Sequence, residues 1–221
     1  MGDDYRVALT LAELCDVNRL LGFPEEGIQQ AKEGLEIFER LGDTVRQGEC
    51  FENLAWAFHK GGQFSAAEEA AIRGNDLLQE KGQEYLLCRS HRLLGRIHLS
   101  KGERKKSSYH FKVALAIASP FNWHDEQFWI HYSLADLFLD EHRFDDAHAH
   151  IEQAKSHAID NTYSLGRAME LKAEIWYAQG RLEDATSEVL RALETYEKFG
   201  ASEDVGDCRA LLRRIKRAMR S

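Results

Sequence analysis

The sequence predicts an all-α fold: a solenoid of five helix-turn-helix repeats closed by a C-terminal helix. Three observations predict it. A large–small residue pair recurs at a nearly fixed step, as Leu14-Cys15, Leu54-Ala55, Leu94-Gly95, Leu134-Ala135 and Lys172-Ala173, with spacings of 40, 40, 40 and 38. A period of this length marks a repeat architecture. A second set of small residues (Gly27, Ala67, Ser107, Ala147, Ala185) follows twelve positions after the first, and a third (Gly34, Gly74, Ala114, Ala154, Ala192) seven later. Small residues in such registers let two helices approach closely. The composition agrees: 221 residues, 43% hydrophobic, 30% charged and only two prolines, rich in strong helix formers.

The turns divide each repeat into two helices. Gly22, Gly62, Gly102 and Gly180 precede the second helices, and Glu141-His142-Arg143 replaces the glycine in repeat four. First helices are expected over 4–20, 45–60, 85–100, 126–140 and 163–178, and second helices over 24–41, 64–80, 104–118, 144–158 and 182–198. Ser65 to Glu68 reads as a capping box, and Asp125 as a helix cap. Pro120 should stop the sixth helix. A last helix, about 203–219, carries Leu211, Leu212, Ile215 and Met219 on one stripe, suited to covering the end of a stack. The expected organisation is a single domain, 1–221, with repeats at 4–43, 44–83, 84–123, 124–161 and 162–201.

Charge and motifs narrow the function. The net charge is −8; residues 204–221 hold six basic against two acidic side chains, so the remainder carries −12. An acidic body argues against nucleic-acid binding. The apolar stripe of the basic final helix is needed to cover the last repeat, which argues against a membrane role. The longest apolar run, Val113 to Ala118, is too short to span a bilayer. Four widely spaced cysteines (Cys15, Cys50, Cys88, Cys208) read as reduced packing residues, so a cytoplasmic protein is expected. No phosphate loop, dinucleotide fingerprint, nucleophile elbow or zinc-protease motif occurs. No enzyme activity, cofactor or metal site is therefore expected. His148, His150, Glu152, Asp145 and Asp146 read as a solvated face, because a metal needs converging ligands.

The large–small pair, an aromatic three or four residues later (Phe58, Phe138, Trp176), the glycine turn and the alanine set resemble the tetratricopeptide repeat. The step of about 40 exceeds the usual 34, as in the longer repeats of kinesin light chains. The resemblance implies a right-handed superhelix whose first helices line a concave groove. The runs 121–125, 129–135, 143–147 and 165–171 further resemble the C-terminal repeat arrays of basidiomycete NTPase receptors, which implies a sensing or scaffolding part of a larger protein. The groove residues implied are Trp56, His59, Arg89, Arg92, Arg96, Trp129, Tyr132 and Asp136. Arginine forks bind carboxylates bidentately and aromatics anchor interfaces. The expected partner is a protein or peptide, and an acidic one with aromatic anchors fits these groups. Pairs Glu49–Arg89, Glu52–Arg92 and Asp136–Arg96 are the competing reading, a salt-bridge ladder between repeats. Self-assembly within a larger receptor is the alternative function, and the sequence leaves the oligomeric state open.

Overall fold

The computed structural model describes residues 2–158 and 162–220. The end of the expected fourth repeat, 159–161, lies outside them. All eleven described elements are α-helices, in two compact units, Met1–Pro120 and Phe121–Ser221.

The first unit holds α1 (Gly2–Leu21), α2 (Pro24–Leu41), α3 (Thr44–Lys60), α4 (Phe64–Glu80), α5 (Glu84–Ser100) and α6 (Arg104–Ala118). Each odd helix pairs with the even helix after it. Odd helices also touch one another, α1 on α3 and α3 on α5, whereas the even helices do not. The odd helices therefore form the inner, tighter layer of this unit, and the even helices the outer one. The core follows the small-residue register: Cys15, Ala31, Leu54, Ala55, Ala67, Ala71, Leu93, Leu94 and Ile97 form one buried cluster.

The second unit holds α7 (His124–Asp140), α8 (Phe144–His157), α9 (Thr162–Ala178), α10 (Leu182–Phe199) and α11 (Ser202–Ala218). Here α7 touches α9, and α11 packs on both α10 and α9. Cys208, Leu211 and Ile215 bury against Ala173, Val189 and Tyr196, so α11 covers the last helix pair as its stripe requires.

The turns show why the helices stop where they do. In every pair a backbone N–H reaches five residues back, as Gln63 N to Phe58 O and Glu103 N to His98 O, both 2.8 Å. This closure needs one left-handed residue, supplied by Gly22, Gly62, Gly102 and Gly180. In repeat four His142 takes that conformation, with φ 56°.

Two capping expectations are corrected. Gln63, not Ser65, precedes α4, and its side chain makes no cap bond; Glu68 is instead drawn to Lys101. Trp123 precedes α7, leaving Asp125 in the first turn, where its charge complements the helix dipole. The one side-chain cap found at the described helix ends is Asp43, whose Oδ1 accepts from Arg46 N at 3.1 Å. All four cysteines are free and buried. Burial pushes the Cys50 and Cys208 thiols up to about 12, leaving them protonated and inert. No described helix is long and apolar enough to cross a membrane.

Candidate functional site

In the first unit the candidate residues lie on α3 and α5, the inner layer. Trp56 is half-buried on α3. Two guanidinium groups from α5 approach its ring, Arg92 at 5.6 Å and Arg96 at 6.0 Å from the centroid. Such contacts contribute about 0.5–1 kcal/mol each where solvent reaches them. His59, one turn on, stands edge-on to Trp56 at 6.0 Å, and its Nε2 lies 2.9 Å from Ser100 Oγ. Burial, then the charges of Arg96 and Lys60, push this imidazole down to about 4, so it is neutral near pH 7.

Arg89 and Arg92 differ in role. Arg92 is only 9% exposed and stands behind Trp56, while Arg89 is half-buried. Arg89 Nη2 lies 2.9 Å from Oε1 of Glu52, a buried carboxylate on α3. One contact of the ladder within this unit therefore differs from the expected register: Arg89 meets Glu52 where Glu49 is expected. Glu49 pairs with Arg46 of its own helix at 2.5 Å, because an i, i+3 partner is already on the same face. Arg89 is left to reach Glu52.

In the second unit Trp129 is half-buried and Tyr132 only 7% exposed. Trp129 stands edge-on to both Phe128 (4.9 Å) and Tyr132 (5.6 Å). The Tyr132 hydroxyl accepts from Arg167 Nη2 at 3.1 Å, and Arg167 also reaches Glu170 (3.1 Å) and Asp204 (3.3 Å). Tyr132, Arg167, Glu170, Glu174, Asp207 and Arg214 line a cavity between α7, α9 and α11. Burial, then Glu170 and Asp136, raise the Glu174 carboxyl above the ordinary carboxylate range. This surface mixes both signs of charge, where the first unit presents arginines around an aromatic. The sequence places Arg167 and Glu174 in the same inner-face register as Arg89 and Arg96, but they fall outside the groove set singled out there.

Glu68, His98 and Glu103 in the first unit gather ligand atoms within 4.8 Å of one another, as a cation would draw them. Lys101 already fills that role: it pairs with Glu68 and lies 3.6 Å from Glu103. Its ammonium is the cation of the cluster. The His148–His150–Glu152 group does not converge. His148 packs on Trp176, ring centroids 3.8 Å apart, Glu152 pairs with Lys172, and His150 turns to His131.

No protein-family model matches the chain. A structure of a Rap protein complexed with competence and sporulation factor is similar over 98% of this chain and 66% of its own, with a TM-score of 0.73 at 16% identity. A STAND ATPase with a tetratricopeptide repeat sensor, from Pyrococcus horikoshii, is similar over 96% of this chain and 33% of its own, TM-score 0.71 at 16% identity. The fold is a tetratricopeptide-repeat array. Among curated proteins, kinesin light chain-related 3 of Arabidopsis thaliana is 25% identical over 206 residues, covering 89% of this chain and 32% of that protein. The chain spans about a third of that curated relative. The tetratricopeptide register explains the arrangement of the site. Trp56, Arg92 and Arg96 each lie within two residues of a large–small pair, on the inner-layer helices α3 and α5.

Proposed function

We propose that this chain is a non-catalytic binding module that takes a protein or peptide on the inner layer of its repeats, with an acidic, aromatic-bearing segment as the preferred ligand of the first unit. The observation that carries this is Trp56 flanked by Arg92 and Arg96. Arg92 is buried and fixes the ring, while Trp56, Arg89, Arg96 and His59 offer the accessible surface. An aromatic flat and a guanidinium fork side by side suit a carboxylate next to an aromatic anchor. In the second unit, Trp129 and Asp136 offer the accessible surface, with Tyr132 behind them. The similar Rap protein, complexed with competence and sporulation factor, supports a bound partner on repeats of this kind.

The test is selection from a displayed library of random peptides, followed by binding to the variant Trp56→Ala/Arg96→Glu. Peptides pairing Asp or Glu with an aromatic residue should be enriched. The variant should lose at least tenfold in affinity while keeping the helical circular-dichroism signal. No enrichment, or equal binding by the variant, removes the assignment.

One observation favours the second reading, self-assembly within a larger receptor. On α1, Val7, Leu14, Val17 and Leu21 are exposed, Leu14 by 42%. Its repeat equivalents Leu54 and Leu94 are 4% and 2% exposed. Light scattering decides this: concentration-dependent mass abolished by Leu14→Glu supports assembly, and a constant monomer mass rules it out.

A further inference from the structure

Two histidine pairs occupy one register in consecutive repeats. His91 and His131 are 40 residues apart, as are His110 and His150. In each repeat the first histidine comes from the first helix and the second from its antiparallel mate. His91 and His110 bring their Nδ1 atoms to 3.0 Å, and His131 and His150 to 2.9 Å. The other repeats place Leu11 and Gln30, Phe51 and Ala70, or Met169 and Glu188 in these positions. The helix packing therefore does not require imidazoles there.

The spacing has a chemical meaning. Two imidazole nitrogens bound to one ion at about 2.0–2.1 Å, with a ligand angle between a right angle and a tetrahedral one, stand about 2.9–3.4 Å apart. Both pairs fall in that range; with no ion bound, one neutral imidazole of each pair donates its N–H to the other at the same distance, and a metal would displace that proton. Their rings are also held. His98 stacks on His110 with centroids 5.2 Å apart, and Phe138 stacks on His150 at 5.2 Å, one repeat further on. All four imidazoles are half-buried, so solvent reaches each pair. Burial lowers the pKa of all four, which keeps them in the neutral form that ligates metals.

We propose that His91–His110 and His131–His150 are two equivalent sites for a late first-row divalent cation of the Zn2+ and Cu2+ class, one ion per pair, with solvent completing the coordination. A third pair, His124 and His157, has Nδ1 atoms 3.5 Å apart, outside the chelating range, and Glu84 and Ile117 replace it one repeat earlier. The His157 ring also stacks on His131 with centroids 5.8 Å apart, so His124 alone serves as the control.

The experiment is calorimetric titration of the untagged chain with Zn2+ alone near neutral pH, repeated with Cu2+ and Mg2+. Two equivalents of Zn2+ should bind, Cu2+ should bind more tightly, and Mg2+ should give no heat, following imidazole preference. His110→Phe and His150→Phe should each remove one equivalent, and together both. If either phenylalanine variant fails to fold by circular dichroism, His91→Gln and His131→Gln take their place. Absence of Zn2+ uptake overturns the proposal. So does uptake unchanged in the double variant, or uptake lost in His124→Ala.

Discussion

A Cβ placed on Gly95 would lie 2.4 Å from Cδ1 and Cε1 of Phe111. The glycine of the third large–small pair is thus the seat of an aromatic ring from the facing helix. At the same register other repeats set Ala55 against Ala71, Ala135 against Ile151 and Ala173 against Val189, all buried. The repeat conserves the room between its two helices and exchanges which side fills it.

Gly95→Ala should therefore destabilise the chain, although alanine is the better helix former. Overpacking a rigid, fully buried ring costs about 1–3 kcal/mol, and about 1 kcal/mol of helix propensity offsets only part of it. Adding Phe111→Ile copies the repeat-four pair and should recover most of the loss. Urea unfolding of the two variants checks this. An unaltered midpoint for Gly95→Ala would show that the ring moves freely.

The Glu52–Arg89 pair should respond asymmetrically. The Glu52 side chain is 2% exposed and Arg89 29%. Arg89→Met withdraws a cation from a buried carboxylate, whereas Glu52→Gln leaves a guanidinium that solvent can reach. Breaking a fully buried pair costs roughly 3–5 kcal/mol, and partial wetting of Arg89 lowers that figure. Arg89→Met should cost more than Glu52→Gln, and the double variant less than Arg89→Met alone. Equal losses for both single variants would contradict this reading in a double-mutant cycle.

Much of this fold is legible in the sequence because its signals are local. The expected spans 24–41, 64–80 and 104–118 coincide with α2, α4 and α6, and the others agree within about two residues at each end. Small residues at fixed offsets and turn glycines report on contacts inside one helix pair, so no long-range information is needed. The site is less legible. Which carboxylate meets which arginine depends on rotamers: Glu49 has a partner on its own helix, and Arg89 therefore goes to Glu52. The depth of Arg92 and Tyr132 also escapes a count of positions, because inner-layer helices are flanked on two sides. The histidine pairs did leave a signal, the recurrence of two histidines at one repeat spacing.

His142 carries a positive φ of 56° where the other repeats use glycine. A left-handed non-glycine residue costs roughly 1–2 kcal/mol, and the added flexibility of an unfolded glycine returns part of this. His142→Gly should raise stability by about 0.5–1 kcal/mol, seen as a higher melting temperature. The ring of His142 is lost from its edge contact with Phe144 at 6.0 Å, a small opposing effect on an exposed side chain. A lower melting temperature would mean that this contact outweighs the backbone relief.

His59 should make stability depend on pH in a defined direction. It faces Trp56, Phe64, Ser100 and the cations Arg96 and Lys60. Burial first, and those two charges second, depress its pKa to about 4, against about 6.5 in an unfolded chain. The native state therefore binds fewer protons than the unfolded state between these values, and stability falls as pH drops through that window. Each proton of difference is worth about 1.4 kcal/mol per pH unit. Several other half-buried histidines shift in the same direction, so His59→Gln should flatten the slope by close to one proton and leave the rest. Denaturant midpoints at several pH values between neutral and acidic measure it, and identical slopes for the two proteins would place the unfavourable protonation at the other histidines.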